Sequence, residues 1–152
     1  MSPPSAQSLD LNGLLDLLPY GEGFRFADAV MRLSQESVVT AKRYSLSEPA
    51  IAAHRVGGHI VVPGVFLIEQ AAQSALIAAL ALNPDDSAAA YWLAKAEGQF
   101  HAPALCPCEV IAETQLARMQ SSFGFRTVCR IADTAVASIK GVVAKRAHGA
   151  WR

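Results

Sequence analysis

Hydrophobic and polar positions change rhythm several times along the chain. Leu11, Leu14, Leu15 and Leu18 recur at helical spacing and predict a short amphipathic helix over residues 9–18, ended by Pro19 and Gly21. Residues 24–33 and 37–46 then read as strands. The second is the clearer, because Val38, Val39, Ala41 and Tyr44 lie in a β-rich stretch interrupted by polar residues. Residues 47–60 carry no period and read as irregular. Over 63–82 the pattern is helical, with Pro63 near the first turn, alanines and leucines through the body, and Asn83-Pro84 as the stop. Three or four strands fill the remainder, roughly over 89–101, 108–119, 122–132 and 134–146, with Phe123-Gly124 and Ala132-Asp133 as turns between the last three.

Strands joined by short turns pair antiparallel, and such a sheet needs its apolar face covered. Segment 63–82 is apolar nearly all round, the pattern of a buried helix. The expected fold class is therefore α+β, a curved antiparallel sheet wrapped around one long central helix, in a single domain over 1–152. Helix ends and exposed sheet edges offer places for self-association, so an oligomer is expected.

Composition narrows the partners. Of the 152 residues 52% are hydrophobic and 17% charged, which excludes disorder and implies a large core. Thirteen basic residues balance thirteen acidic ones, with no basic run longer than Lys145-Arg146, so nucleic acid is not expected as a partner. The opening MSPPSAQSLD lacks the positive-then-apolar layout of a signal peptide. Pro63-Gly64, Glu69, Gln70, Gln73 and Ser74 interrupt the longest apolar stretch, so no membrane span is expected. Cys106, Cys108 and Cys129, an odd number, suit a reducing cytoplasm. Cys106-Pro107-Cys108 has no second ligand pair nearby and reads as a turn bearing two thiols, not as a metal site. The tail at 148–152 reads as exposed, with no assigned role.

Candidate chemistry concentrates in HRVGGHIVVPGVFLIE, residues 54–69. Glu69 is the one ionisable side chain between Ile60 and Leu82. An unpaired buried carboxylate is costly and usually takes up a proton. Val65, Ile68, Ala72 and Leu76 argue against wide exposure of Glu69, and Gln73, one turn on, is placed to hold or orient its carboxyl. The plainer alternative makes Glu69, Gln70, Gln73 and Ser74 a narrow solvated stripe. His54, alone, is as readily an incidental loop histidine as a catalytic one. Gly57-Gly58 permits close backbone approach, and Val62-Pro63-Gly64-Val65 starts a helix whose free N–H groups can bind developing negative charge. A neutral imidazole, a protonated carboxyl and a helix N-terminus together suit proton abstraction beside a carbonyl with departure of a hydroxyl.

This segment resembles the signature of the hot-dog-fold 3-hydroxyacyl-acyl-carrier-protein dehydratases, G-H-F-P-x-x-P-x-x-P-G-V-x-x-x-E-x-x-x-Q, through His54, Gly57, Pro63, Gly64, Val65, Glu69 and Gln73. Leu17-Leu18-Pro19-Tyr20 followed by Phe24-Arg25-Phe26-Ala27-Asp28 resembles the family's opening L-L-P-H-x-x-P-F-x-x-x-D. Ser47-Glu48-Pro49 is similar to its N-E-P, and Gln99-Phe100-His101-Ala102-Pro103 with Cys106-Pro107-Cys108-Glu109 to its K-F-R-R-P-V-x-P-G-D. The loop departs from the pattern. One residue is inserted between His54 and Pro63, most simply at Gly57-Gly58, and Ala53, Arg55 and Val56 replace a glycine, a phenylalanine and a proline. Counting back from Pro63 reaches Arg55, counting forward from Glu48 reaches His54, and His59 is a second imidazole in the loop. His54 is favoured over His59 because loops absorb single insertions.

The resemblance implies a hot-dog fold and a 3-hydroxyacyl thioester carried on the phosphopantetheine of an acyl carrier protein, in fatty-acid or polyketide and polyene biosynthesis. It implies that His54 removes the C2 proton, that the N–H of Gly64 or Val65 binds the thioester oxygen, that protonated Glu69 serves the departing hydroxyl, and that Gln73 supports it. No metal, nucleotide or flavin is implied. Histidine and glutamate would meet across a two-fold dimer interface, and Phe66, Leu67, Tyr91, Trp92 and Phe100 are candidates for the acyl pocket. Two alternatives stay open: an acyl-thioester hydrolase of the same fold, and a non-catalytic or half-active subunit of a heterodimer with a related dehydratase.

Overall fold

The computed structural model describes residues 11–84 and 91–146, so the starts of the first helix and of the strand expected from 89, and the 148–152 tail, lie outside the described residues. Leu11–Leu17 is wound as a 3-10 helix, and a second short 3-10 turn covers Glu22–Phe24. Eight strands follow, β1 Ala29–Leu33, β2 Ser37–Tyr44, β3 Arg55–Val56, β4 His59–Ile60, β5 Tyr91–Phe100, β6 Cys108–Arg118, β7 Ser122–Ile131 and β8 Thr134–Lys145. Two α-helical segments interrupt them: the single turn α1, Pro49–Ala52, and the long α2, Gly64–Leu82.

Six strands form one antiparallel sheet in the order β1-β2-β6-β7-β8-β5, and β3 and β4 form a separate hairpin. Helix α2 carries the chain from the β1–β2 side to β5 at the opposite edge and packs against β2, β5, β6, β7 and β8. By length and composition α2 could cross a membrane, but 67% of its most apolar window is buried inside the fold. Its apolar residues Leu67, Leu76, Ile77 and Leu80 lie in the core with Val38, Tyr44, Val110 and Phe125.

Three local expectations fail for physical reasons. Strand pairing starts at Ala29, not at residue 24, because the stretch before it is tied to α2: Gln73 accepts from the Phe26 N–H at 2.8 Å and donates to the Phe24 carbonyl at 2.9 Å. Residues 47–60, read as irregular, hold α1 and the β3–β4 hairpin, whose turn is Gly57-Gly58 with φ of 58° and 81°. Positive φ at both central residues is what a tight hairpin turn demands and what glycine supplies. Phe123-Gly124 is not a turn. Both lie inside β7, where Gly124 pairs with Ala117 and Val142, and the chain reverses one step earlier, closed by the Met119 N–H bonded to the Ser122 carbonyl at 2.9 Å. The Ala132-Asp133 turn does join β7 to β8, with Ala132 at φ 51°.

The solvated-stripe reading of α2 also fails. Gln70, Gln73 and Ser74 are buried, and each is hydrogen-bonded inside the fold.

Candidate active site

The hairpin builds the first half of the site. Its arms pair Val56 with His59 and Arg55 with Ile60, and the ladder continues through the Val61 N–H to the His54 carbonyl at 3.1 Å. Gly57-Gly58 forms the hairpin's turn, and His54 sits at its base. There its Nδ1 lies 2.7 Å from the Val61 carbonyl oxygen. A carbonyl only accepts, so Nδ1 carries a proton toward Val61, and Nε2 is the ring nitrogen left to face other groups. His54 is half-buried, whereas His59 and Arg55 are exposed on the hairpin arms. Beyond the hairpin, the Val62 N–H bonds to the Ala104 carbonyl at 2.9 Å and the Cys106 N–H to the Ile60 carbonyl at 3.0 Å, which anchor the segment entering α2.

Gly64 and Val65 open α2, so their N–H groups have no carbonyl earlier in the helix to bond and point outward from its positive end. A Cβ on Gly64 would fall 2.9 Å from two carbons of the Phe100 ring, so glycine is required for that ring to cover the helix start. Val65 is 66% exposed and Phe100 50%.

Glu69, one turn further, is half-buried. Gln73 Nε2 donates to its Oε1 at 3.0 Å. Because Gln73 Oε1 is already committed to the Phe26 N–H, the amide cannot turn round, and it stays a donor toward the carboxyl. That leaves Oε2 as the oxygen able to hold a proton. Glu69 and Gln73 line a small cavity together with Tyr20, Leu76, Tyr91 and Trp92. Burial, and then the negative charge of Glu69, push the Tyr20 phenol above its ordinary range, so it remains a neutral hydroxyl beside the carboxyl. Tyr20 was not among the sequence candidates, although it occupies the place of the histidine in the family's L-L-P-H opening.

The acyl-pocket candidates divide. Tyr91 and Trp92 share the Glu69 cavity. Leu67 is core. Phe66 stacks edge-on against Phe26 with centroids 5.2 Å apart, and Phe100 lies over Gly64 and Gly98; none of these three lines that cavity. His54 is bonded to Val61 and Glu69 to Gln73, and His54 is not among the residues lining the cavity beside Glu69.

No group of three or more His, Cys, Asp or Glu able to hold a metal occurs among the described residues. All three cysteines are free thiols. Burial, with Cys106 nearby, raises Cys108 to about 11, and burial alone raises Cys129 to about 12, so neither supplies a thiolate nucleophile near neutral pH.

No protein-family model matches the chain. It is 33% identical over 155 residues to a 3-hydroxyacyl-acyl-carrier-protein dehydratase FabZ of Polynucleobacter necessarius subsp. necessarius (strain STIR1), an alignment spanning 99% of this chain and 100% of that protein. It is 30% identical over 128 residues to the FabZ of Polaromonas naphthalenivorans (strain CJ2), covering 81% of this chain and 88% of the other. Among solved structures it is similar to the dehydratase heterocomplex ApeI:P from Xenorhabdus doucetiae, with a TM-score of 0.75 at 14% identity over 89% of this chain and 91% of that one, a likeness of fold. The chain has the hot-dog fold, and it belongs to the FabZ family of 3-hydroxyacyl-acyl-carrier-protein dehydratases.

Proposed function

We propose that this chain dehydrates a 3-hydroxyacyl thioester, held on the phosphopantetheine arm of an acyl carrier protein, to the trans-2-enoyl thioester. The observation that carries this reading is the 33% identity running the whole length of a FabZ dehydratase. His54 Nε2 takes the C2 proton. The N–H of Gly64 or Val65 bonds the thioester oxygen as negative charge gathers there. The C3–O bond then breaks, Glu69 gives a proton to the departing hydroxyl, and water leaves as the C2–C3 double bond forms. Each positioned proton transfer is worth about 10²–10⁴-fold, and one donor aimed at the developing oxyanion about 10²–10³-fold. The reaction transfers no electrons and calls for no redox group or metal.

The complete site takes two copies of the chain. Strand β5 ends the sheet, pairs only with β8 among the described residues, and exposes Trp92, Leu93 and Phe100. A long edge of that kind is a template for another strand. Antiparallel pairing of two β5 strands about their middle would set the Phe100 end of one copy beside the Tyr91 end of the other. Phe100 covers the start of α2, and Tyr91 lines the Glu69 cavity. Base and oxyanion donors of one copy would then face the acid of its partner. The carrier protein is the substrate's vehicle, and a chain with three free cysteines and this role belongs in the cytoplasm.

The test is incubation of the purified protein with 3-hydroxyacyl carrier protein, reading enoyl absorbance and free thiol together. Enoyl formation without thiol release is expected. Thiol release would replace dehydration with thioester hydrolysis, and activity appearing only after a related dehydratase is added would make the chain one half of a heterodimer.

A further inference from the structure

Glu69 changes charge during the reaction, and its neighbours do not serve its two oxygens alike. Once its proton has gone to the departing hydroxyl, the carboxyl carries a negative charge shared by Oε1 and Oε2, and both oxygens need donors. Gln73 provides for Oε1 alone. Its amide nitrogen has two hydrogens, one directed to Oε1 at 3.0 Å and the other to the Phe24 carbonyl at 2.9 Å. Oε2, the oxygen that held the proton, must find its donor elsewhere.

Three other side chains with a donor border the same space as the carboxyl: Tyr20, Tyr91 and Trp92. Tyr91 belongs to the buried core and leans on Phe123 with ring centroids 6.1 Å apart. The Arg146 guanidinium lies over the Trp92 ring, 4.7 Å from its centroid. Tyr20 differs from both. It is half-buried, and its hydroxyl makes no hydrogen bond among the described residues. After burial, the influence on its phenol is the charge of Glu69. Backbone and ring, not the hydroxyl, fix its place: Arg25 Nε donates to the Tyr20 carbonyl at 3.4 Å, and the ring meets Phe24 edge-on with centroids 5.6 Å apart. Gln73 in turn ties Phe24 to α2, so the amide that holds Oε1 also anchors the stretch carrying Tyr20. We propose that Tyr20 is a positioning residue for Glu69, its hydroxyl donating to Oε2 as the proton leaves, so that the new carboxylate has one donor on each oxygen. The proposal rests on the dehydratase reading and adds a residue to its acid half.

The experiment compares the wild type with Tyr20→Phe and Tyr20→His, reading kcat and KM for enoyl formation from 3-hydroxybutyryl and 3-hydroxydecanoyl carrier protein, together with each melting temperature. Tyr20→Phe keeps the ring and its contact with Phe24 and removes only the donor. Its kcat should fall about 10–100-fold, the effect of one hydrogen bond to a charged group, with KM and melting temperature close to wild type. Tyr20→His puts an N–H in that place, as the family's L-L-P-H opening does, and should recover much of the loss. Wild-type kcat in Tyr20→Phe overturns the proposal, as does a Tyr20→His protein no more active than Tyr20→Phe. A loss in Tyr20→Phe matched by a lowered melting temperature overturns it too, since the ring would then be serving the fold. A wild type that forms no enoyl product from either substrate overturns the dehydratase reading itself, and the role of Tyr20 falls with it.

Discussion

Gln70 and Gln73 stand less than one turn apart on α2, both almost wholly buried at 0% and 1% exposure, and they serve different regions of the molecule. Gln70 faces the sheet. It accepts from the Tyr44 hydroxyl at 2.9 Å and donates to the Val110 carbonyl at 3.0 Å, and one turn on Ser74 bonds the Thr40 hydroxyl at 2.7 Å. Gln73 faces the N-terminal segment, holding Phe24 and Phe26 on one side and the Glu69 carboxyl on the other. Burial and residue type do not distinguish the two amides. Their partners do: every partner of Gln70 is a group that the fold needs satisfied, whereas one partner of Gln73 borders a cavity and can carry a proton.

If that division is right, the largest losses of activity come from the cavity side and leave the fold untouched. Glu69→Gln keeps an acceptor for Gln73 Nε2 but has no proton to give, so enoyl formation should fall about 10²–10⁴-fold with an unchanged melting temperature. His54→Ala should lose activity on the same scale, while His59→Ala stays near wild type. A protein that tolerates His54→Ala and fails with His59→Ala would move the base to the hairpin's outer arm and reverse the argument built on Val61.

The sequence carried much of this architecture, but unevenly. Helix α2 was legible because Pro63 and Asn83-Pro84 bracket a segment rich in alanine and leucine, and those signals are local. The spacing of Glu69 and Gln73 was equally legible, since residues four apart on a helix are neighbours. What could not be read were groups whose partners are distant in the chain. The stretch before Ala29 has strand-like composition, yet its backbone is claimed by Gln73, 47 positions from Phe26. The same holds for Gln70 and Ser74, which look like a wet stripe until Tyr44, Val110 and Thr40 fold over them. Phe123-Gly124 misled in the other direction: glycine signals a turn, but here it sits in a strand paired on both sides.

Intermediate effects should follow from Gln73 itself. Gln73→Leu strips three hydrogen bonds, so it should cost both activity, through a misoriented Glu69, and stability, of about 1–3 kcal/mol for each backbone group left unsatisfied. Seeing the loss in only one of the two readouts would break the claim that this residue joins site and fold. Tyr44→Phe is the sheet-side counterpart. It leaves Gln70 Oε1 without its donor, at a cost of about 1–3 kcal/mol, which for a chain of this size lowers the melting temperature about 2–4 °C per kcal/mol. Its kcat/KM below the transition should match wild type.

The smallest effect is expected when Thr40 and Ser74 are replaced together, and it sharpens the comparison most. The Ser74 hydroxyl donates to the Gln70 carbonyl at 2.7 Å, so in the Thr40–Ser74 pair Thr40 is the donor. Ser74→Ala alone strands the buried Thr40 hydroxyl and should cost about 1–3 kcal/mol. Thr40→Val alone leaves Ser74 with one of its two bonds and should cost about 1 kcal/mol or less. Replacing both removes the polar pair together and should come close to neutral, less costly than Ser74→Ala by itself. Thermal unfolding of the three variants measures the cycle, and enoyl formation measured alongside should not move. A double variant no better than Ser74→Ala would mean that the sheet-side polar groups hold α2 in register through this pair, and some loss of turnover at Glu69 should then accompany it.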